Sequence, residues 1–161
     1  MVKKLFLLRH ANSQKINQNG DFERILSAKG IRELEQLSSF LLHRNITVDI
    51  ALCSPAIRTR QTWDYVQNKL AITSVLTFPE DLYNASTDDM LNIIHHIDGS
   101  YNNAVIIGHN PTISSMTNAL IAGGGNLSFS PANMACLDFN ITNWQDAALH
   151  TAKIEWFYAR E

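Results

Sequence analysis

Leu5-Phe6-Leu7-Leu8-Arg9-His10 is the stretch from which the fold can be worked out. Its first four residues form a short unbroken apolar run, the pattern of a strand buried on both faces, and the strand is expected over residues 3–8. A chargeable pair placed directly after such a strand is not core filling. In an open α/β sheet, ligands bind in the crevice beyond the carboxyl ends of the strands. The same arrangement recurs twice. Ile50-Ala51-Leu52-Cys53 runs into Ser54-Pro55-Ala56-Ile57-Arg58, and Ala104-Val105-Ile106-Ile107 runs into Gly108-His109-Asn110-Pro111. Three strand ends thus deliver two arginines and two histidines to one edge of a sheet, which points to an anion site with chemistry in it.

The elements between these blocks alternate. A long polar loop, Ala11 to Leu26, leads to a helix capped by Ser27, with Ile31, Leu34, Leu37 and Leu41 as its apolar stripe. A second strand is expected over 48–53, then a helix from about Pro55 that places Trp63, Val66 and Leu70 on one face. A third strand over 73–78 ends at Pro79, and a helix over 87–97 carries Met90, Ile94 and Ile97. A fourth strand over 104–108 precedes a helix with Ile113, Met116, Leu120 and Ile121 inward, closed by Gly123-Gly124-Gly125. Two further strands, near 133–139 and 152–158, form a hairpin-like pair around Trp144. Strands alternating with helices predict an α/β fold, with helices on both faces of a mostly parallel sheet that the last two strands make mixed. One domain is expected over residues 1–161.

Composition narrows the partners. A formal net charge of −2 and the lack of any Lys/Arg cluster argue against nucleic acid and against a polybasic membrane patch. No apolar stretch approaches membrane-spanning length. The start Met1-Val2-Lys3-Lys4 is basic like the first part of a signal peptide, but the apolar run after it is too short for one, so a cytoplasmic location is expected. Cys53 and Cys136 lack metal-type spacing and sit in apolar segments, the pattern of buried free thiols. His43, His95, His96 and His150 read as structural.

Leu8-Arg9-His10-Ala11, then Ser54-Pro55-Ala56-Ile57-Arg58-Thr59-Arg60-Gln61-Thr62, then Gly108-His109-Asn110-Pro111 resemble the signature blocks of the histidine phosphatase superfamily. Within it, the chain is similar to the small branch of the phosphohistidine phosphatase SixA. Asp21-Phe22-Glu23-Arg24-Ile25-Leu26-Ser27 and Asp81-Leu82-Tyr83-Asn84-Ala85-Ser86 also match that branch. The resemblance spans roughly residues 3–122 with the blocks in family order. It implies a three-layer phosphoglycerate mutase-like fold and a phosphatase that works without metal or other cofactor.

By that resemblance His10 is the nucleophile that becomes phosphorylated, and His109 contacts the bound phosphoryl group. Arg9 and Arg58 suit the same anion on chemical grounds, because guanidinium forks stay charged and bind phosphoryl oxygens bidentately. Amides at the start of the helix after Pro55 are candidates to join them. Asn12, Ser13 and Arg24 are candidates for the rim, Arg24 equally for an ion pair with Asp21 or Glu23. Flanking arginines should keep the His10 imidazole neutral. Many family members carry a proton-donating glutamate in the region after strand three, where this chain has Leu82-Tyr83-Asn84, with Glu80 and Asp81 nearby. Imidazole leaves more readily than an alkoxide, so the missing acid favours a protein phosphohistidine substrate or a small activated phosphoester. Two other readings stay open. One is a metal-dependent hydrolase using His10, His109 and Asp21 or Asp81, although Arg9 and Arg58 would repel a dication. The other is a non-catalytic phosphate- or phosphoprotein-binding module.

Overall fold

A computed structural model describes residues 2–160. Its strands are β1 (Lys3–Arg9), β2 (Ile50–Cys53), β3 (Val75–Thr77), β4 (Asn103–Gly108), β5 (Met134–Phe139) and β6 (Lys153–Tyr158). Four helices alternate with them: α1 (Ala28–Arg44), α2 (Ile57–Leu70), α3 (Thr87–His95) and α4 (Thr112–Leu120). The sheet order is β3-β2-β4-β1-β5-β6. The β2–β3, β2–β4 and β4–β1 pairs are parallel, and β5 runs antiparallel to both β1 and β6. The mixed, mostly parallel sheet is therefore as expected.

The apolar runs are continuous because successive side chains serve opposite faces. Leu5 and Leu7 pack with Met90 and Ile94 of α3 and Ile113, Met116 and Leu120 of α4. Phe6 and Leu8 pack with Leu34, Leu37 and Leu41 of α1 and Trp63 and Val66 of α2. Two cores, one on each side of the sheet, make the fold three-layered.

Several boundaries and faces differ from the sequence reading. β1 extends one residue further and includes Arg9, whereas β3 is only Val75–Thr77 and α3 stops at His95. Ile31 is exposed, and the inward face of α1 is instead Gly30, Glu33, Leu34, Leu37, Ser38 and Leu41. The cause is steric. A Cβ on Gly30 would lie 2.1 Å from the Asn12 carbonyl oxygen, so only glycine lets α1 rotate this way against the loop after His10. Lys3, read as part of a basic start, is fully buried. Its ammonium donates to the carbonyls of Gly99 and Tyr101 at 2.6 and 2.9 Å and to Asn102 Oδ1 at 2.8 Å. Among the described residues, no helix is long and apolar enough to cross a membrane.

Candidate active site

The strand order brings the three sequence blocks together, because β4 lies between β2 and β1. His109 follows β4, His10 follows β1, and Ser54 and Arg58 follow β2, all at the carboxyl edge. Since β5 is antiparallel, the segment before it returns to that same edge. There the Phe129 carbonyl accepts from Arg9 Nη1 at 2.8 Å and from Asn110 Nδ2 at 2.9 Å, and the Ala132 amide donates to the Arg9 and His10 carbonyls at 3.2 Å. Arg9, His10, Asn12, Ser13, Arg24, Arg58, His109, Asn110 and Pro131 line one cavity of about 290 Å³. All six predicted site residues are thus brought together.

His10 is 8 % exposed, and its Nδ1 lies 2.7 Å from the Ala11 carbonyl oxygen. A carbonyl only accepts, so Nδ1 carries the proton and the Nε2 lone pair is left without a protein partner among the described residues. Burial, with the charges of Arg58, Arg9 and Arg24 adding to it, pushes the imidazole pKa down to about 4 against the opposing pull of the Ala11 hydrogen bond. The His109 ring stands 5.2 Å from that of His10. Arg58 Nη2, which can only donate, lies 3.4 Å from His109 Nδ1, and His109 Nε2 is 2.7 Å from Ser54 Oγ. Nδ1 is then the acceptor and Nε2–H donates to Ser54. Burial and the neighbouring His10 lower His109 to about 3. Both rings are neutral near neutral pH.

Arg58 is 5 % exposed. Its Nη1 donates to the Asp21 carbonyl at 2.8 Å and its Nη2 to Asp21 Oδ2 at 3.1 Å. The Asp21 carboxylate also takes hydrogen bonds from Tyr83 Oη and Arg24 Nε, which hold it down at about 2, the Tyr83 bond being the stronger cause. Arg24 answers to both of its sequence readings. It pairs with Asp21 and also donates to Ser13 Oγ at 2.9 Å on the cavity wall. Asp21 thus sits as a built-in anion on the arginine that a phosphoryl group would use. Asp21→Asn is expected to tighten inorganic phosphate binding by roughly 2- to 5-fold, the scale of an exposed ion pair. Unchanged or weaker phosphate affinity by calorimetry would remove Asp21 as a competitor.

At the start of α2, Arg58 lines the cavity, whereas Ala56 and Ile57 do not. The Ala56 amide turns instead toward Ser54 Oγ at 3.5 Å. Asn12 and Ser13 line the wall, but their side chains also hold the loop, Asn12 Oδ1 accepting from Ser27 Oγ at 2.6 Å. Sequence reasoning missed Asn110, Ser54 as the partner of His109, and Glu33. The first two lay inside quoted blocks. Glu33 is 2 % exposed, and its Oε1 accepts from the Asn12 amide at 2.9 Å while Oε2 pairs with Arg160.

A second cavity, of about 270 Å³, shares His109 and Asn110 with the first and extends over Tyr83, Asn84, Met90 and Thr112. Asn84, which by sequence position stands where an acid was expected, lines this second cavity together with His109. Glu80 and Asp81 are exposed and line neither cavity. Elsewhere, Cys136, Asp138 and Glu155 bring ligand-type atoms within 4.8 Å of one another, which their spacing in sequence did not suggest. The Lys4 ammonium already bonds both carboxylates there. Cys53 and Cys136 are buried free thiols, and burial pushes Cys53 up to about 12.

A sequence profile of the Histidine phosphatase superfamily (branch 1) matches residues 5–82. An uncharacterized protein of Mycobacterium tuberculosis is 30% identical over 118 residues, covering 73% of this chain and 72% of the relative. The crystal structure of the Agrobacterium tumefaciens protein assigned as phosphohistidine phosphatase SixA superposes with a TM-score of 0.83 at 25% identity, over 98% of each chain. A protein histidine phosphatase SixA complexed with tungstate has the same fold, with a TM-score of 0.77 at 17% identity over 96% of this chain and 95% of that one. Those matches agree with the edge geometry of β1, β2 and β4: the chain belongs to the histidine phosphatase superfamily, and it is a phosphatase.

Proposed function

We propose that the protein hydrolyses phosphohistidine, without metal, through a covalent phosphohistidine intermediate on His10. The observation that supports this most is His10 itself, a neutral imidazole with Nδ1 anchored on Ala11 and Nε2 without a partner among the described residues, in a cavity that three arginines line. The Nε2 lone pair attacks phosphorus in line with the leaving nitrogen. A P–N bond to His10 forms as the P–N bond to the substrate breaks, and Arg9 and Arg58 neutralise the equatorial oxygens. A substrate imidazole already protonated on its other nitrogen departs as a neutral ring, so the step needs no acid at position 84. Water then cleaves phospho-His10, releasing phosphate and restoring the neutral ring. Guanidinium groups on this wall would repel a bound dication, which is the physical ground for a metal-free reaction.

The test is hydrolysis of a phosphohistidine peptide in EDTA by wild type and His10→Ala side by side. Wild-type turnover that the variant lacks supports the reading, and turnover abolished by chelator sinks it. A second reading, a small activated phosphoester as substrate, is favoured by the bounded cavity beside His109, which would hold a compact leaving group. Activity on acetyl phosphate but not on the phosphopeptide would select it.

The pH dependence follows from burial. Protonation silences the nucleophile, so its rate should hold as pH falls from 7 to 5 and be lost toward about 4. Stability moves the same way. An unfolded imidazole binds its proton near 6.5 whereas folded His10 does so only near 4, so acidification between these values favours the unfolded chain. NMR titration of the His10 ring checks both, and a midpoint near 6.5 would show that the ring is not desolvated.

A further inference from the structure

The peptide unit between Ala11 and Asn12 faces two partners. Its carbonyl accepts from His10 Nδ1 at 2.7 Å, and its N–H donates to Glu33 Oε1 at 2.9 Å. A trans peptide points these two groups in opposite directions. Glu33, one amide group and the His10 imidazole therefore form a single hydrogen-bonded chain. We infer that Glu33 is a positioning residue for the nucleophile, acting through this peptide to fix His10 as the Nδ1–H tautomer and to enrich the ring in electrons at Nε2. The inference rests on the reading of His10 as nucleophile and adds the group that prepares it.

Three observations build the case. Glu33 is 2 % exposed in the apolar face of α1, where a carboxylate persists only if it is paired and hydrogen-bonded. Arg160 supplies the counter-charge on Oε2, which leaves Oε1 for the Asn12 amide. The peptide has no freedom to turn over. The Asn12 carbonyl accepts from the Ser27 amide at 3.0 Å and lies where any Cβ on Gly30 would stand, and the Ala11 amide donates to Thr62 Oγ1 at 3.1 Å. Negative charge at one end of a hydrogen-bond chain polarises each bond along it, so the amide oxygen becomes a better acceptor and the imidazole a better nucleophile. The logic is that of a carboxylate orienting a histidine directly, with one peptide inserted.

The test begins on the wild type, with ¹⁵N NMR of the His10 ring. Nδ1 protonated and Nε2 bare is the expected result, and an Nε2–H tautomer would overturn the inference whether or not any variant folds. The variants are then Glu33→Gln, which keeps an acceptor oxygen but removes the charge, and Arg160→Lys, which perturbs the same ion pair but keeps the counter-charge and the bond to Asn12. With phosphoramidate as phosphodonor, Glu33→Gln should slow phosphorylation of His10 by about 10-fold with the half-saturating donor concentration little changed, by analogy with outer-shell partners of metal-bound histidines. Arg160→Lys should stay within about 2-fold of wild type, because the charge that balances Glu33 is kept. Equal slowing in both variants, or wild-type phosphorylation by folded Glu33→Gln, would reduce Glu33 to a structural residue. Turnover that survives His10→Ala would instead remove the nucleophile assignment, which the tautomer measurement distinguishes.

Discussion

His10→Ala is expected to lower phosphohistidine hydrolysis by at least about 10³-fold while leaving the protein folded and able to bind inorganic phosphate. The size of the effect follows from its kind. Removing the nucleophile deletes the covalent path, so what survives is the part of catalysis that arginines and positioning give to direct attack by water. Phosphate affinity should persist because Arg9, Arg24 and Arg58 line the cavity independently of His10. The diagnostic is a radiolabelled phosphoenzyme in the wild type, labile to acid and stable to alkali as a P–N bond is, and absent from the variant. A label that remains in His10→Ala would move the nucleophile elsewhere on the edge, with His109 the next imidazole 5.2 Å away.

Arg58→Ala should be the second largest loss, about 10²- to 10³-fold in kcat/KM with weaker phosphate binding, on the scale of removing one preorganised donor from a developing anion. Arg58 is nearly buried and meets the carbonyl and carboxylate of Asp21 and the His109 ring. Its loss therefore takes a charge from the anion site and a neighbour from His109. Arg58→Lys separates these contributions. It restores the charge as a point but not the planar fork, so rescue should be partial. Full activity in Arg58→Lys would mean that the site uses Arg58 for its field alone, and an unaffected Arg58→Ala would leave Arg9 and Arg24 as the working cations. Thermal unfolding of both variants guards against confusing a loosened Asp21–Glu23 turn with lost chemistry.

Much of this site is legible in the order of the amino acids. β1, β2 and β4 are buried on both faces, so each is written as an apolar run, and the residue types that follow each run are those an anion needs. Helix faces read less well. The periodicity of α1 picks out Leu34, Leu37 and Leu41 correctly, yet it selects Ile31 and passes over Glu33. Hydrophobic period assigns a glutamate to solvent by default, and nothing local records that an amide from the loop after His10 will meet it inside. The basic start misleads in the same way. Lys3 looks like surface charge until three oxygens from the segment before β4 enclose it.

Residue order alone carries the class of the fold, the three strand ends and the chemistry of Arg9, His10, Arg58 and His109, because burial pattern and side-chain type are local properties. Packing in three dimensions settles that β4 lies between β2 and β1, that antiparallel β5 returns the 129–133 segment to the same edge, and that Asp21 folds onto Arg58 across 37 positions. It also settles that one peptide joins Glu33 to His10. Strand order and these contacts depend on how distant segments pack around two cores, and their free energy is shared across the whole chain rather than written at any one position in it.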